Sequence, residues 1–324
     1  MGTTVVVGAG AAGLATAVRL RRHDPVVLDA GARVGDSWRH RYAGLRLFTP
    51  ARFCALPGVP LPGDPGAHPA KDDYADYLEA YADRQRIGVR LGTTVRAHRF
   101  RDGRHHLTLG DGGSLVADRL VWAAGAHAVP VVPPFAAALD PAIHQVHSAA
   151  FRDGAGIGDG PVLVVGAGQS GADLASLLAA THRTCLAGPR TGTVPLAVAR
   201  SRAVRALYRL PVPGERARRF LRRRAGPLVW HTARSLAAAG VVRVPRVTGV
   251  RDGLPVLADG RVLPVATVVW CTGLRPRLDW LDPRADGVPS LGFVGLPFQH
   301  TLSSGTLGGM APDAARVARR LGPH

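Results

Sequence analysis

Two stretches of the chain carry the same ordering of apolar, small and polar positions. Thr3 to Val7 is a β-branched run ending in Gly8-Ala9-Gly10-Ala11-Ala12-Gly13, after which Leu14, Ala17 and Val18 recur at helical spacing before the basic end Arg19 to Arg22. Val162 to Val165 ends likewise in Gly166-Ala167-Gly168-Gln169-Ser170-Gly171, followed by Ala172, Leu174, Ala175, Leu177 and Leu178. Each pattern predicts a strand, a tight turn and a helix. The echo continues downstream. Alternating strands broken by Asp-Gly turns occupy Arg96 to Trp122, with Asp102-Gly103 and Asp111-Gly112, and Arg246 to Trp270, with Asp252-Gly253 and Asp259-Gly260. Such dipeptides between short alternating runs predict hairpins. Both runs close alike, with Leu120-Val121-Trp122-Ala123-Ala124-Gly125 matching Val268-Val269-Trp270-Cys271-Thr272-Gly273. The expected class is α/β, with two dinucleotide-binding Rossmann-like domains, each with a β-meander insertion.

Strand, glycine turn and helix together form a fingerprint with a physical reason for each glycine. The first permits the turn, the second lets backbone approach a pyrophosphate, and the third lets the helix pack closely, while the helix start offers free N–H groups to the anion. The strand after each turn-and-helix unit separates the two sites. Val26-Val27-Leu28 ends at Asp29, twenty-one residues beyond Gly8, where a carboxylate can accept from ribose hydroxyls. Cys185-Leu186-Ala187 runs instead into Gly188-Pro189-Arg190, with Arg183 nearby and no acid at the strand end. That arrangement points to NADPH over NADH, the alternative being a surface arginine in an arginine-rich chain. FAD in the first site then supplies the hydride acceptor.

The 324 residues exceed what a single core usually organises, so two domains are expected. The division read from the motifs is 1–127 with 274–324 for FAD and 128–273 for NADPH, with 196–236 a basic helical insertion. A formal net charge of +18 suggests a polyanion partner until its location is considered. Lys71 is the only lysine, and ten arginines crowd Arg200 to Arg224, interleaved with Val204, Leu207, Tyr208, Phe220 and Leu221. The spacing predicts basic amphipathic helices, either a solvated face over an apolar stripe or a docking surface for a membrane or an acidic protein. The stretch has no nucleic-acid reading motif and few stacking aromatics, so no nucleic acid is expected. Cys54, Cys185 and Cys271 stand far apart, with no CxxC and no zinc spacing, so neither a metal nor a redox dithiol is expected. A reducing cytoplasm suits them, and the chain starts in a strand without a leader or an apolar span.

Val34-Gly35-Asp36-Ser37-Trp38-Arg39, then Tyr42, Leu45-Arg46-Leu47, Thr49-Pro50 and Leu56-Pro57-Gly58, resembles the class B flavin-dependent monooxygenases, in particular bacterial members related to plant indole-3-pyruvate monooxygenases. His147-Ser148, Phe151-Arg152, Arg275-Pro276, Trp280-Leu281, and Phe293-Val294-Gly295-Leu296 before Asp313-Ala314 extend the likeness over nearly the whole chain. The resemblance implies that Gly8, Gly10, Ala11, Ala12, Gly13, Asp29, Ser37, Trp38, Val95, Ala124, Gly125 and Gly295 hold FAD. It implies that Gly166, Gly168, Gln169, Ser170, Gly171, Arg190 and Thr272 take NADPH. Trp38 can equally be core, since Trp is usually largely buried, and His147 can be structural as readily as catalytic.

The resemblance further implies that NADPH reduces FAD, that dioxygen adds to the flavin C4a carbon, and that the resulting hydroperoxide oxygenates a small organic substrate at nitrogen or sulfur, or in indole-3-pyruvate fashion. The family fingerprint is incomplete. His147 and Phe151 are present, but Pro141 and Ile143 stand where Phe and Gly belong, which disfavours a Baeyer–Villiger enzyme. Phe48 occupies a position that is often polar in relatives. Rival readings are an NADPH-dependent reductase or oxidase passing electrons to a carrier protein or dioxygen, and a non-enzymatic nucleotide-binding protein. No acid, base or nucleophile is singled out, because positioning and water exclusion are what such a protein must add.

Overall fold

The computed structural model describes residues 2–195, 198, 201–222 and 226–322. Its frame is two five-stranded parallel sheets. The first, in the order β17-β7-β1-β2-β3, joins Leu291–Phe293, Arg119–Trp122, Thr4–Val7, Val26–Leu28 and Val89–Arg90. The second, in the order β12-β11-β10-β15-β9, joins Val242–Val244, Thr184–Ala187, Val162–Val165, Thr267–Trp270 and His144–His147. In both, the strand feeding a glycine turn is central, flanked by the strand ending at Leu28 or Ala187 and by the one ending at Trp122 or Trp270. β1 and β10 are buried throughout, as continuous apolar runs covered on both faces must be.

Helices cover one face of each sheet. α1 (Ala11–Arg19), α3 (Lys71–Arg84) and α8 (Leu307–Leu321) bury Leu14, Tyr74, Leu78, Tyr81 and Val317 over the first, and α4 (Gln169–Leu178) buries Leu174 and Leu178 over the second. Antiparallel strands cover the opposite faces. In the first half these are the expected meander, β4 (Val95–Arg101), β5 (Arg104–Leu109) and β6 (Ser114–Ala117). In the second half the meander is shorter, with β13 (Val247–Arg251) and β14 (Leu254–Leu257) extended only by a lone bridge from Val256 to Val262. Pro264 and Pro255 lack the N–H groups that a third ladder would use. Asp102-Gly103 and Asp252-Gly253 turn with positive φ at both residues, the geometry that matches strand twist in two-residue hairpins.

Two short segments connect the halves and pair with each other: β8 (Val129–Pro130) and β16 (Leu274–Arg275) run antiparallel. The short helix α2 (Asp36–Arg39) carries the Ser37-Trp38 motif. The basic stretch forms α5 (Arg202–Tyr208) and α6 (Gly214–Arg222), followed by α7 (Ala233–Ala238) capped by Thr232. Arg200, Arg223 and Arg224 lie outside the described residues.

A buried polar chain ties the first meander to the segment entering β17. The Asp282 N–H donates to His98 Nδ1 at 3.2 Å, His98 Nε2 meets His105 Nδ1 at 3.0 Å, and His105 Nε2 meets Ser290 Oγ at 2.9 Å. With Nδ1 of His98 an acceptor, each ring donates through Nε2 and both are neutral, a tautomer assignment that follows from the network. Burial lowers both imidazoles below the usual histidine value of 6.5, His105 to about 4. A depressed histidine stabilises the fold above its unfolded value and loses that stability as pH falls toward the folded one. Melting temperature is therefore expected to drop between pH 6.5 and 4, with His105 alone worth on the order of 3 kcal/mol across that window. The double variant His98→Leu, His105→Leu should melt lower at neutral pH but show a flatter profile, measured by calorimetry against pH.

Candidate dinucleotide cradles

At the end of β1 the chain turns through Gly8, whose φ of +105° suits glycine and whose N–H donates to Leu28 O at 2.7 Å. A Cβ on Gly8 would lie 2.5 Å from Ala123 O, and one on Gly13 would lie 1.7 Å from Gly8 O. Neither position admits a side chain. Gly10 is the opposite case: a Cβ there would meet nothing within 4 Å, because its backbone faces open space. The second turn repeats this geometry. Gly166 has φ +108° and donates to Ala187 O at 2.9 Å, a Cβ on it would sit 2.2 Å from Cys271 O, and one on Gly171 would sit 1.7 Å from Gly166 O. Two glycines in each turn thus serve packing, and in the first turn Gly10 leaves a cradle.

The ends of α1 and α4 complete the anion sites. Gly10 and Gly168 cap them without any side-chain hydrogen bond, and neither helix has an acid in its first turn. The positive helix ends and free N–H groups therefore stay available to an external diphosphate. On these observations the residues fit the diphosphates of FAD and NADPH.

The two cradles diverge just beyond the neighbouring strand. Asp29 follows Leu28 at the first; its Oδ2 accepts the Ala9 N–H at 2.6 Å and its Oδ1 the Gly31 N–H at 2.7 Å. The carboxylate is locked beside the turn with lone pairs left for hydroxyl donors. The corresponding residue at the second is Gly188, where a Cβ would come within 2.9 Å of Ala167 N, so an acid cannot occupy that place. Thr191 Oγ1 donates to Ala167 O at 2.7 Å and holds the loop down. Exposed Arg190 follows, joined by a cation that sequence reasoning missed: Arg243 on β12, whose Nη2 donates to Gly188 O at 3.1 Å and Pro189 O at 3.0 Å. Burial, and then the nearby Arg190 charge, lowers the Arg243 pKa. Two mutually repelling guanidinium groups thus stand near each other beyond β11.

The other expected residues distribute around these turns. Gly295 (φ +94°) lies over the start of α1, its notional Cβ 3.3 Å from Ala12 Cβ. Gly125 opens on free space beside exposed Ala124, and exposed Ser37 offers its carbonyl to Arg41 Nε at 3.1 Å. Trp38 is half-buried and packs edge-on against Tyr74, with ring centroids 5.1 Å apart, so the core-packing role is present. Val95 is buried in the same apolar cluster as Val7 and Leu28. Thr272 Oγ1 donates to Val131 O in the connecting segment. His147 has both ring nitrogens engaged by backbone, Nε2 with Gly273 O and Nδ1 with the Ala149 N–H, each at 3.1 Å, which makes it a structural fastener.

A side chain joins the two halves, beside backbone ties such as the Ala43 N–H to Arg152 O at 2.6 Å. Asp173 on α4 accepts the Tyr42 hydroxyl at 2.6 Å on Oδ2, and its Oδ1 takes Gln169 Nε2 at 2.9 Å and lies 2.9 Å from His231 Nε2. Gln169 Oε1 in turn accepts the Val229 N–H at 2.9 Å. Burial and then Asp173 raise the Tyr42 pKa, keeping it a donor. Neither Asp173 nor His231 carries a motif that would mark it in sequence; only Asp173 at four residues beyond Gln169, on the polar side of α4, is a hint. None of the three cysteines is in a disulfide, and burial pushes the Cys271 thiol up to about 12, far from the reactive thiolate range. Among the described residues no group of His, Cys, Asp and Glu could hold a metal. No helix there is long and apolar enough to cross a membrane.

Comparison with known proteins agrees with this geometry. Residues 5–194 match the family model described as pyridine nucleotide-disulphide oxidoreductase. The chain is 32% identical to an uncharacterized CzcO-like oxidoreductase of Geobacillus kaustophilus, over 99% of this chain and 98% of that one. It is 38% identical to the indole-3-pyruvate monooxygenase YUCCA1 of Oryza sativa subsp. japonica over 52% of this chain and 43% of the relative. A flavin-containing monooxygenase from Stenotrophomonas maltophilia superposes with a TM-score of 0.79 at 26% identity, covering 99% of this chain and 98% of that one.

The glycine geometry separates two substitutions. Gly10→Val is expected to fold, at about 1 kcal/mol for the poorer helix cap, yet to lower FAD affinity at least tenfold, because its side chain fills the cradle. Gly13→Ala should cost roughly 3 kcal/mol or more in stability, since its Cβ meets backbone. Thermal melts of the FAD-free chains and FAD titration read the two effects apart.

Proposed function

The chain belongs to the pyridine nucleotide-disulphide oxidoreductase family, in its class B flavin-monooxygenase-like branch, and we propose that it uses FAD, NADPH and dioxygen to oxygenate a small organic substrate. The observation that carries this is the paired cradle with opposite neighbours: a locked carboxylate beside the first, two arginines beside the second. Within this reading, residues 1–127 with 274–324 hold FAD and 128–273 hold NADPH. Gly8, Gly10, Ala11, Ala12 and Gly13 take the flavin nucleotide's diphosphate, Asp29 its ribose, and Ser37, Trp38, Val95, Ala124, Gly125 and Gly295 its remaining contacts. Gly166, Gly168, Gln169, Ser170, Gly171 and Thr272 take the nicotinamide nucleotide, with Arg190 and Arg243 on its 2′-phosphate.

When bound, FAD accepts hydride from NADPH and delivers the electrons to dioxygen. The protein's part is positional. Tyr42 and Asp173 hold the two cradles at a shared cleft, and Gln169 fixes the backbone at Val229 over the second one. Cys54, Cys185 and Cys271 form no disulfide and burial raises the Cys185 and Cys271 thiols, so the disulphide chemistry in the family's description has no protein dithiol here to serve. Candidate substrates are nitrogen or sulfur nucleophiles and indole-3-pyruvate-like acids, the second class supported by the partial likeness to the rice enzyme.

Anaerobic NADPH should bleach the flavin, and admission of oxygen with a thioether, a tertiary amine or indole-3-pyruvate should give oxygenated product in step with NADPH consumed. Hydrogen peroxide accounting for all the NADPH with every substrate class would overturn the oxygenase reading in favour of an oxidase or reductase. Arg190→Ala and Arg243→Ala should each lower kcat/KM for NADPH about ten- to a hundredfold while leaving NADH within about twofold, as removal of a charge-assisted phosphate contact predicts.

A further inference from the structure

The basic insertion presents an exposed surface at α5 and α6 that none of the cradle contacts reaches. Five of the twelve large apolar side chains that are exposed among the described residues fall within it: Val198, Leu207, Tyr208, Leu210 and Phe220. Leu207, Leu210 and Phe220 are 52%, 51% and 59% exposed, more than an isolated surface residue of a packed helix needs to be. The backbone beneath them is held in place. The Val212 N–H donates to His300 O at 3.2 Å, Leu302 to Leu210 O at 3.1 Å and Ser303 to Tyr208 O at 2.8 Å, while Pro211 and Thr301 form an antiparallel bridge and Val212 is buried. The side chains are therefore displayed by an anchored segment.

Charge selects the occupant. From Arg200 to Arg224 there are ten arginines and one acid, Glu215. On α6 the half-buried Arg218 lies close enough to His300 to lower its pKa, whereas Arg216, Arg219 and Phe220 are exposed, as is Arg209 between the helices. A second copy of the chain docking through the same patch would set these arginines against their own equivalents, since a two-fold interface is self-complementary. An acidic protein would satisfy the arginines. A lipid surface satisfies arginines and exposed leucine and phenylalanine together, with apolar side chains at the acyl boundary and guanidinium groups among phosphates.

We propose that α5 and α6 dock this protein onto an anionic phospholipid bilayer, with Leu207, Leu210 and Phe220 entering the interface and Arg209, Arg216 and Arg219 pairing with headgroup phosphates. The attachment is peripheral, because no described helix can span a bilayer. It is reversible and salt-sensitive, as a single amphipathic patch provides.

The test is flotation of the FAD-loaded full chain with vesicles of phosphatidylcholine and phosphatidylserine in equal amounts, against phosphatidylcholine alone. Binding to the mixed vesicles only, weakened by salt, is expected. Arg216→Glu with Arg219→Glu should lower the partition coefficient roughly thirtyfold or more, and Leu207→Ser with Leu210→Ser should lower it at least tenfold, both with NADPH-driven flavin reduction unchanged. Flavin retention in these surface variants reports that they are folded. No flotation with the mixed vesicles, or flotation unaffected by the leucine substitutions, would overturn the proposal. So would retention on immobilised polyglutamate without vesicle binding, which points to an acidic protein, or a dimer that the leucine substitutions dissociate, which points to a second copy.

Discussion

The structure rests on a steric exclusion made twice. Where Gly13 passes Gly8 and Gly171 passes Gly166, the approach of helix to turn leaves no volume for a β-carbon; one would stand 1.7 Å from a carbonyl oxygen. That closeness places the first peptide groups of α1 and α4 at the mouth of the turn with their N–H groups outward. Gly10, the middle glycine of the first turn, faces open space, so the same six residues hold a closed contact and an open cradle back to back. The central strands, buried on both faces, keep the turns at their C-terminal ends, where a long anionic ligand can reach them.

The two turns differ most one residue beyond the adjacent strand. Asp29 reaches back to the Ala9 N–H, whereas the main chain at Gly188 comes so near Ala167 that no side chain can stand there. The second site then draws its charge from farther along, from Arg190 and from Arg243 on the next strand. The two turns thus differ in which strand end is allowed a side chain, and the sheet architecture is left unchanged.

How much of this could be read without coordinates depended on the range of each interaction. The turns, the Asp-Gly hairpins and the strands ending at Trp122 and Trp270 are local, and periodicity and turn chemistry identify them. Asp29 and Arg190 follow from their place after a strand. Arg243 escaped because its partner carbonyls lie more than fifty residues away, and Asp173 because its roles join Tyr42, Gln169 and His231 from three separate segments. His147 was legible as structural or catalytic alike, and only the fold, with both ring nitrogens occupied by backbone, decides for the structural role. The completion of the second sheet by β9, a strand that precedes its glycine turn, has no local signature, whereas the first sheet is completed by β17 near the chain's end.

The paired crossing segments bear on how the halves can move. The chain passes between them twice, and β8 and β16 are zipped together by hydrogen bonds, with the Val131 N–H also donating to Gly273 O at 3.0 Å. Tyr42 to Asp173, the Ala43 N–H to Arg152 O and the bridge of Pro211 to Thr301 tie the same halves elsewhere, so the ribbon is one seam of a joint stitched at several points, and parting the halves would mean undoing all of them.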